Sequence, residues 1–149
     1  MMFRFERILV PLDGSEFAEE AVEPALAIAR AMESELVLFR VAQPIPRTRA
    51  LAEMPDVYND VVAAAQWDAE DYLEGLSARL DYDKMVMELR SADEGIARQI
   101  LDYAHDANVD LIVMSSHGRS GVDRWVHGSV TEKVLRSCGC NTLIIRGEV

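Results

Sequence analysis

Apolar positions along the chain fall into two alternating patterns. Short runs occur at Ile8–Val10, Leu36–Phe39, Met85–Leu89, Leu111–Met114 and Leu143–Ile145, and four of the five are unbroken. Runs this short, rich in β-branched residues and Leu, predict strands covered on both faces. Between them, apolar residues step by three or four, the period of a helix with one buried stripe. Ala18, Ala21, Val22, Ala25, Leu26, Ala29 and Met32 form the first stripe. Tyr58, Val61, Val62, Ala65, Ala69, Tyr72, Leu73, Leu76 and Leu80 form the second. Ile96, Ala97, Ile100, Leu101 and Ala104 mark a third helix, and Val130, Val134 and Leu135 a fourth. Strict alternation of strand and helix predicts an α/β fold: a parallel sheet with right-handed crossovers, sandwiched by helices in a small doubly wound, Rossmann-like domain. The segment from Ala42 to Asp56, with Pro44, Pro46 and Pro55, is too proline-broken for a helix and reads as a long loop.

Composition agrees with a single domain spanning 1–149. Half of the 149 residues are hydrophobic and 28% are charged, which excludes a disordered chain. Fifteen basic residues against 26 acidic ones leave a net charge of −11. That balance repels phosphate backbones and anionic lipid at long range, so neither nucleic acid nor a membrane is an expected partner. No stretch approaches the ~18 apolar residues of a membrane span. The opening MMFRFERILVPLDG does not read as a secretory leader. Cys138 and Cys140 are the only cysteines, too few for a disulfide framework or a zinc knuckle. Reduced thiols in a cytoplasmic protein are the expectation.

Ligands of such folds bind beyond the carboxyl ends of the strands. Two segments with suitable chemistry leave strands there. Pro11-Leu12-Asp13-Gly14-Ser15 follows the first strand. Asp13, three residues before Glu16, has the spacing of a capping box, and Ser15 is the other candidate cap. The same carboxylate would suit a ribose, since it accepts two hydroxyl hydrogen bonds. After the fourth strand comes Met114-Ser115-Ser116-His117-Gly118-Arg119-Ser120-Gly121, and then Gly128-Ser129-Val130-Thr131 opens a helix. Gly118 and Gly121 permit close backbone approach to a ligand. The free N–H groups and positive dipole end of the helix attract phosphate, and Ser129, Thr131, Arg119 and Arg124 add hydroxyls and charge. Ser129 and Glu132 also have capping-box spacing, which is the purely structural alternative for that turn.

Sharper motifs are absent. No G-x-x-x-x-G-K-[ST] phosphate loop, G-x-G-x-x-G fingerprint or G-x-S-x-G elbow occurs. Gly118-Arg119-Ser120-Gly121 matches the clamp of one RNA-binding module only by its four letters, in an acidic chain. His105, His117 and His127 have no metal-ligand spacing, and His105 reads as a helix-surface residue. No nucleophile, base and orienting residue can be named together, so the chain is not expected to be an enzyme beyond slow ATP hydrolysis.

The pattern G-x-x-G, nine residues, then G-[ST] resembles the nucleotide-binding signature of the universal stress protein family. Here it reads Ser115-Ser116-His117-Gly118, nine residues from Arg119 to His127, then Gly128-Ser129. Ile8 to Ser15 is similar to the family's first strand and turn, and Asn141 to Ile145 to its last strand. The resemblance implies a five-stranded parallel sheet of order 3-2-1-4-5, sandwiched by four helices. It implies ATP as ligand, with or without magnesium. Pro11, Leu12 and Asp13 would meet adenosine, and the Val41 backbone the adenine edge. Met114 to Gly121 would wrap the phosphates, through Ser115, His117, Gly118, Arg119 and Gly121. Gly128, Ser129, Val130 and Thr131 would cap them. Ser115 stands where the signature has its first glycine. The implied order makes the third and fifth strands edges; Lys84, Glu88 and Arg90 guard one, whereas Thr142-Leu143-Ile144-Ile145 carries no charge. A homodimer joined along the fifth strands is therefore expected. The competing reading is a nucleotide-free dimeric regulatory protein of the same fold. An adenylate-forming enzyme would need Ser-Gly-Gly-x-Asp-Ser after the first strand, and a phospho-receiver an acceptor Asp where Leu89-Arg90-Ser91 stands.

Overall fold

The apolar runs form a five-stranded parallel sheet of order β3-β2-β1-β4-β5. The strands are β1 (Arg7–Leu12), β2 (Glu35–Ala42), β3 (Met85–Ser91), β4 (Leu111–Ser115) and β5 (Asn141–Ile145). The structure is a computed structural model that describes residues 2–42, 45–91, 95–116 and 129–146. The order 3-2-1-4-5 is the one expected. Each strand extends the apolar run that marked it in the sequence by up to a few residues, because the polar ends are also paired.

Alternate residues of the central strands face two cores. Ile8, Val10, Leu12, Leu36, Leu38, Leu111 and Val113 point to one. That face is covered by α1 (Glu16–Glu19), α2 (Val22–Met32) and the long α4 (Pro55–Arg79). Leu9, Val37, Phe39, Val41, Ile112 and Met114 point to the other, against α5 (Ile96–Asp106) and α6 (Ser129–Ser137). Helices on both faces confirm the doubly wound architecture.

Three expectations need correction. The first stripe is two helices, not one, with the break at Glu20 and Ala21. Pro24 explains it, since proline has no N–H for the Glu20 carbonyl and its ring crowds that carbonyl. The proline-rich segment holds a helical turn, α3 (Arg49–Ala52), capped by the Thr48 hydroxyl accepting from the Leu51 N–H at 3.2 Å. Pro55 does not break a helix but begins α4 at its first position, where the missing N–H has no partner to lose. Finally, not every residue of the stripes is core. Only Ala69, Leu73 and Leu76 of α4 are fully buried, and Val61 and Leu135 are exposed.

Pro11 lies within the central strand, where proline is unusual because it offers no N–H to a neighbour. Pairing of β1 with β2 continues to Leu12↔Arg40, but pairing with β4 stops at Leu9↔Ile112. β4 itself runs on, paired with β5, to Ser115↔Ile145. The sheet therefore parts between β1 and β4 at its carboxyl edge, where the order of connections reverses.

Phe39 is completely buried beside Tyr103, with ring centroids 5.2 Å apart. Phe39→Ala should lower stability by about 3–5 kcal/mol, measured as a reduced urea midpoint at unchanged slope.

Candidate functional site

Helices that return between parallel strands start at the sheet's carboxyl edge. The amino termini of α1 and α6 therefore lie at the edge where β1 and β4 part. On the β1 side the chain leaves buried Pro11 and Leu12, turns at half-buried Asp13, and passes Gly14 at φ 87°. Ser15, in extended conformation, caps α1: its hydroxyl accepts from the Ala18 N–H at 3.2 Å. Asp13 is not the cap. Its Oδ1 accepts from the Ser15 N–H at 2.9 Å and from the Ser15 hydroxyl at 2.5 Å. Both bonds fall on one carboxylate oxygen, and the hydroxyl is oriented by donating to Asp13 while accepting from Ala18. The turn is thus a small fixed network whose carboxylate sits at the parting of the strands.

On the other side, β4 ends in buried Met114 and Ser115, and the Ser116 N–H donates to the Ile145 carbonyl at 2.9 Å. Ser115 follows the alternation of Leu111 and Val113 and so faces the α1 and α2 layer. In the first turn of α6, Ser129 is exposed, Val130 half-buried and Thr131 buried. Ser129 is already helical, and Glu132 pairs with Arg136 at 2.7 Å one turn on. The Glu132 carboxylate is therefore engaged along the helix rather than folded back on the Ser129 N–H, contrary to the capping-box alternative. Val41, the expected adenine contact, is a buried residue near the end of β2. His117, Gly118, Arg119, Gly121 and Gly128, along with Arg124, lie outside the described residues.

Sequence reading missed Arg40. It stands directly opposite Leu12 in the sheet, on the face of Leu36 and Leu38. Its guanidinium lies over the Tyr72 ring of α4, 4.7 Å from the centroid. The Tyr72 hydroxyl donates to Glu19 Oε1 at 2.8 Å, and Arg79 reaches the same oxygen at 3.6 Å. Burial, then the bond to Glu19, holds the Tyr72 phenol well above its ordinary pKa, so it remains a donor throughout the physiological range. The one signal in the sequence was a cation placed directly after the apolar run Leu36–Phe39.

Two other concavities have different character. At the amino ends of the strands, a depression of about 490 Å³ is lined by Arg4, Glu6, Arg7, Glu33, Glu35, Lys84, Asn108 and Asp110. Its charges pair with one another: Arg7 Nε meets Glu35 at 2.6 Å, and Asp110 accepts the backbone N–H groups of Glu6 and Arg7. Cys138 and Cys140 line a smaller one, where burial, then contact with Cys138, pushes the Cys140 thiol up to about 12. Among the described residues no group of three His, Cys, Asp or Glu side chains could hold a metal. His105 is surface-exposed as expected, beside Asp106 at 3.2 Å.

The sequence matches the universal stress protein family over residues 4–146, and the chain belongs to that family. A universal stress protein of Methanocaldococcus jannaschii is 28% identical over 151 residues, covering 95% of this chain and 82% of that protein. The solved structure of universal stress protein UspA from Lactobacillus plantarum is 30% identical, with a TM-score of 0.77 over 97% of this chain and 100% of that one. A family protein from Arabidopsis thaliana, solved with AMP bound, shares the fold at 14% identity, with a TM-score of 0.63 over 97% and 93% of the two chains.

Gly14 is the point of least tolerance in the turn. A Cβ there would lie 3.1 Å from Arg40 Nη2, in a left-handed conformation that side chains resist. Gly14→Ala should destabilise the protein by about 1–3 kcal/mol, read from chemical denaturation.

Proposed function

We propose that the chain is an adenine-nucleotide-binding universal stress protein, taking ATP with or without magnesium at the parting of β1 and β4. The observation that carries this reading is the Asp13 turn: a carboxylate fixed by Ser15 at the switch point of a doubly wound sheet. Family membership and the AMP bound by the Arabidopsis protein support it. In this reading Asp13 accepts from the ribose, and Pro11, Leu12 and Val41 flank the nucleoside. The first-turn amides of α6, with Ser129, Val130 and Thr131, meet the phosphates, because four N–H groups at a helix start lack intrahelical partners. Met114 and Ser115 end the strand that leads into the signature, whose His117, Gly118, Arg119, Gly121 and Gly128 complete the phosphate cradle by sequence.

The role is regulatory: a cytoplasmic stress-adaptation factor that holds nucleotide and turns it over slowly at most. Isothermal titration with ATP and with AMP, each with and without magnesium, should show saturable binding. Gly128→Leu, which puts a side chain into the signature, should weaken ATP at least tenfold. Absence of binding to the wild-type protein at millimolar nucleotide would leave the nucleotide-free regulatory reading in its place.

We also infer a homodimer through β5. Asn141 and Leu143 of this edge strand are exposed, and its five residues carry no charge that would discourage pairing with a second copy. β3, the opposite edge, is defended by Glu88 and Arg90, paired at 2.8 Å. Light scattering at micromolar concentration should give twice the chain mass, and Leu143→Lys should give a monomer.

A further inference from the structure

We infer that Arg40 is a positioning residue for the Asp13 carboxylate, and through it sets the selectivity of the site for ribose hydroxyls. The inference rests on the adenine-nucleotide reading above and adds to it a residue that never touches the ligand.

The guanidinium is held between two surfaces. One face rests on the Tyr72 ring, at 4.7 Å from the centroid. On the other side lies the α-carbon of Gly14: Nη2, Cζ and Nη1 are 3.1, 3.3 and 3.4 Å from where a Cβ would sit. The ring is pinned in turn by its hydroxyl bond to Glu19. A planar cation so wedged forms the floor of the Asp13–Gly14–Ser15 turn, and its charge and that of Asp13 both act on the Tyr72 hydroxyl.

Arginine is a costly choice for that floor. Its Nε is buried and has no hydrogen-bond partner among the described residues, and no carboxylate pairs with its guanidinium among them. A leucine or methionine could fill the space over Tyr72 without that desolvated cation. The charge is therefore explained by what lies above it. A cation beneath the turn favours an ionised Asp13 and draws it inward. Oδ1 is already committed twice to Ser15, so the inward-drawn carboxylate presents Oδ2 towards the open edge of the sheet. A vicinal diol is the donor pair such an oxygen suits; a sugar without those hydroxyls gains nothing from it.

The test compares ATP with 2′,3′-dideoxy-ATP by calorimetry, in wild type, Arg40→Met, Arg40→Lys and Tyr72→Phe. Wild type should prefer ATP by about tenfold, the worth of a hydrogen bond to a charged group. Arg40→Met should bring that preference to within about twofold of unity, with dideoxy-ATP affinity little changed. Arg40→Lys, which keeps the charge, should restore part of the preference. Tyr72→Phe keeps the ring beneath the cation and should leave the preference as in wild type. Equal weakening of both nucleotides in Arg40→Met would reduce Arg40 to a packing role and overturn the inference. So would an unchanged preference, or a preference lost in Tyr72→Phe. Should Arg40→Met fail to fold, Arg40→Lys and Tyr72→Phe still decide by the same ratio. A wild-type protein that binds both nucleotides equally overturns the ribose inference alone; one that binds neither overturns the nucleotide reading itself.

Discussion

The structure depends on how its central strand is paired. β1 is hydrogen-bonded to β2 along its whole length but to β4 only at Ile8 and Leu9. A parallel ladder needs an N–H at every second residue on each side, and Pro11 has none to give. The consequence is a sheet closed at its amino edge and parted at its carboxyl edge. The parting falls where the connections change direction, so the two crossovers leave on opposite faces and no helix covers it. Every residue assigned to the candidate site stands on one lip or the other. The cores on both faces hold the strands in place, with Ile8, Leu9, Val10, Ile112 and Val113 at most a fraction of a per cent exposed.

The two edges of the sheet differ in how they treat charge. At the amino edge, Arg7 is a hub: it pairs with Glu35, donates to the Ala107 carbonyl, and its backbone N–H bonds to Asp110. Each of these groups has found its partner within the chain, which is the signature of a structural network. At the carboxyl edge, Arg40 Nε is buried without one among the described residues. Proteins leave polar groups unmatched chiefly where something else is to be bound or held. That contrast directs attention to the carboxyl edge.

Much of this was legible in the sequence. The strands were marked by Val, Ile and Leu runs because a buried parallel strand has no polar face to interrupt it. The sites at strand ends were legible because glycine, Asp and Ser cluster where the chain must turn and cap. What escaped was whatever depends on tertiary neighbours. The stripe on α4 runs on through Tyr58 and Val61, but the first half of the helix has too little sheet to cover it, so periodicity overstated the core. Pro24 lay in a helical stripe whose period it did not disturb, so the break before it was invisible. Asp13 and Ser15 both had capping chemistry, and only the bond geometry separates the cap from the residue that orients it. Arg40 ended an apolar run and so looked like the start of a loop; the register with Leu12 puts it inside the sheet.

Ser115 is the point at which the chain departs from the family signature, and its position decides how much that departure matters. A glycine is required where φ is positive or where a neighbouring group leaves no room for a Cβ. Among the described residues other than glycine, only Glu33 and Asn108 have positive φ, so Ser115 adopts ordinary strand geometry. It is paired with Ile145 and buried to 7% on the face of Val113, away from Met114 and α6. Its side chain leaves on the α1 and α2 side of the sheet, not on the side from which the first turn of α6 approaches. The conformational demand that glycine meets falls instead on Gly14, which carries both the positive φ and the close approach. A serine in place of the signature's first glycine is therefore a change within the strand, compatible with an open site at the parting of β1 and β4.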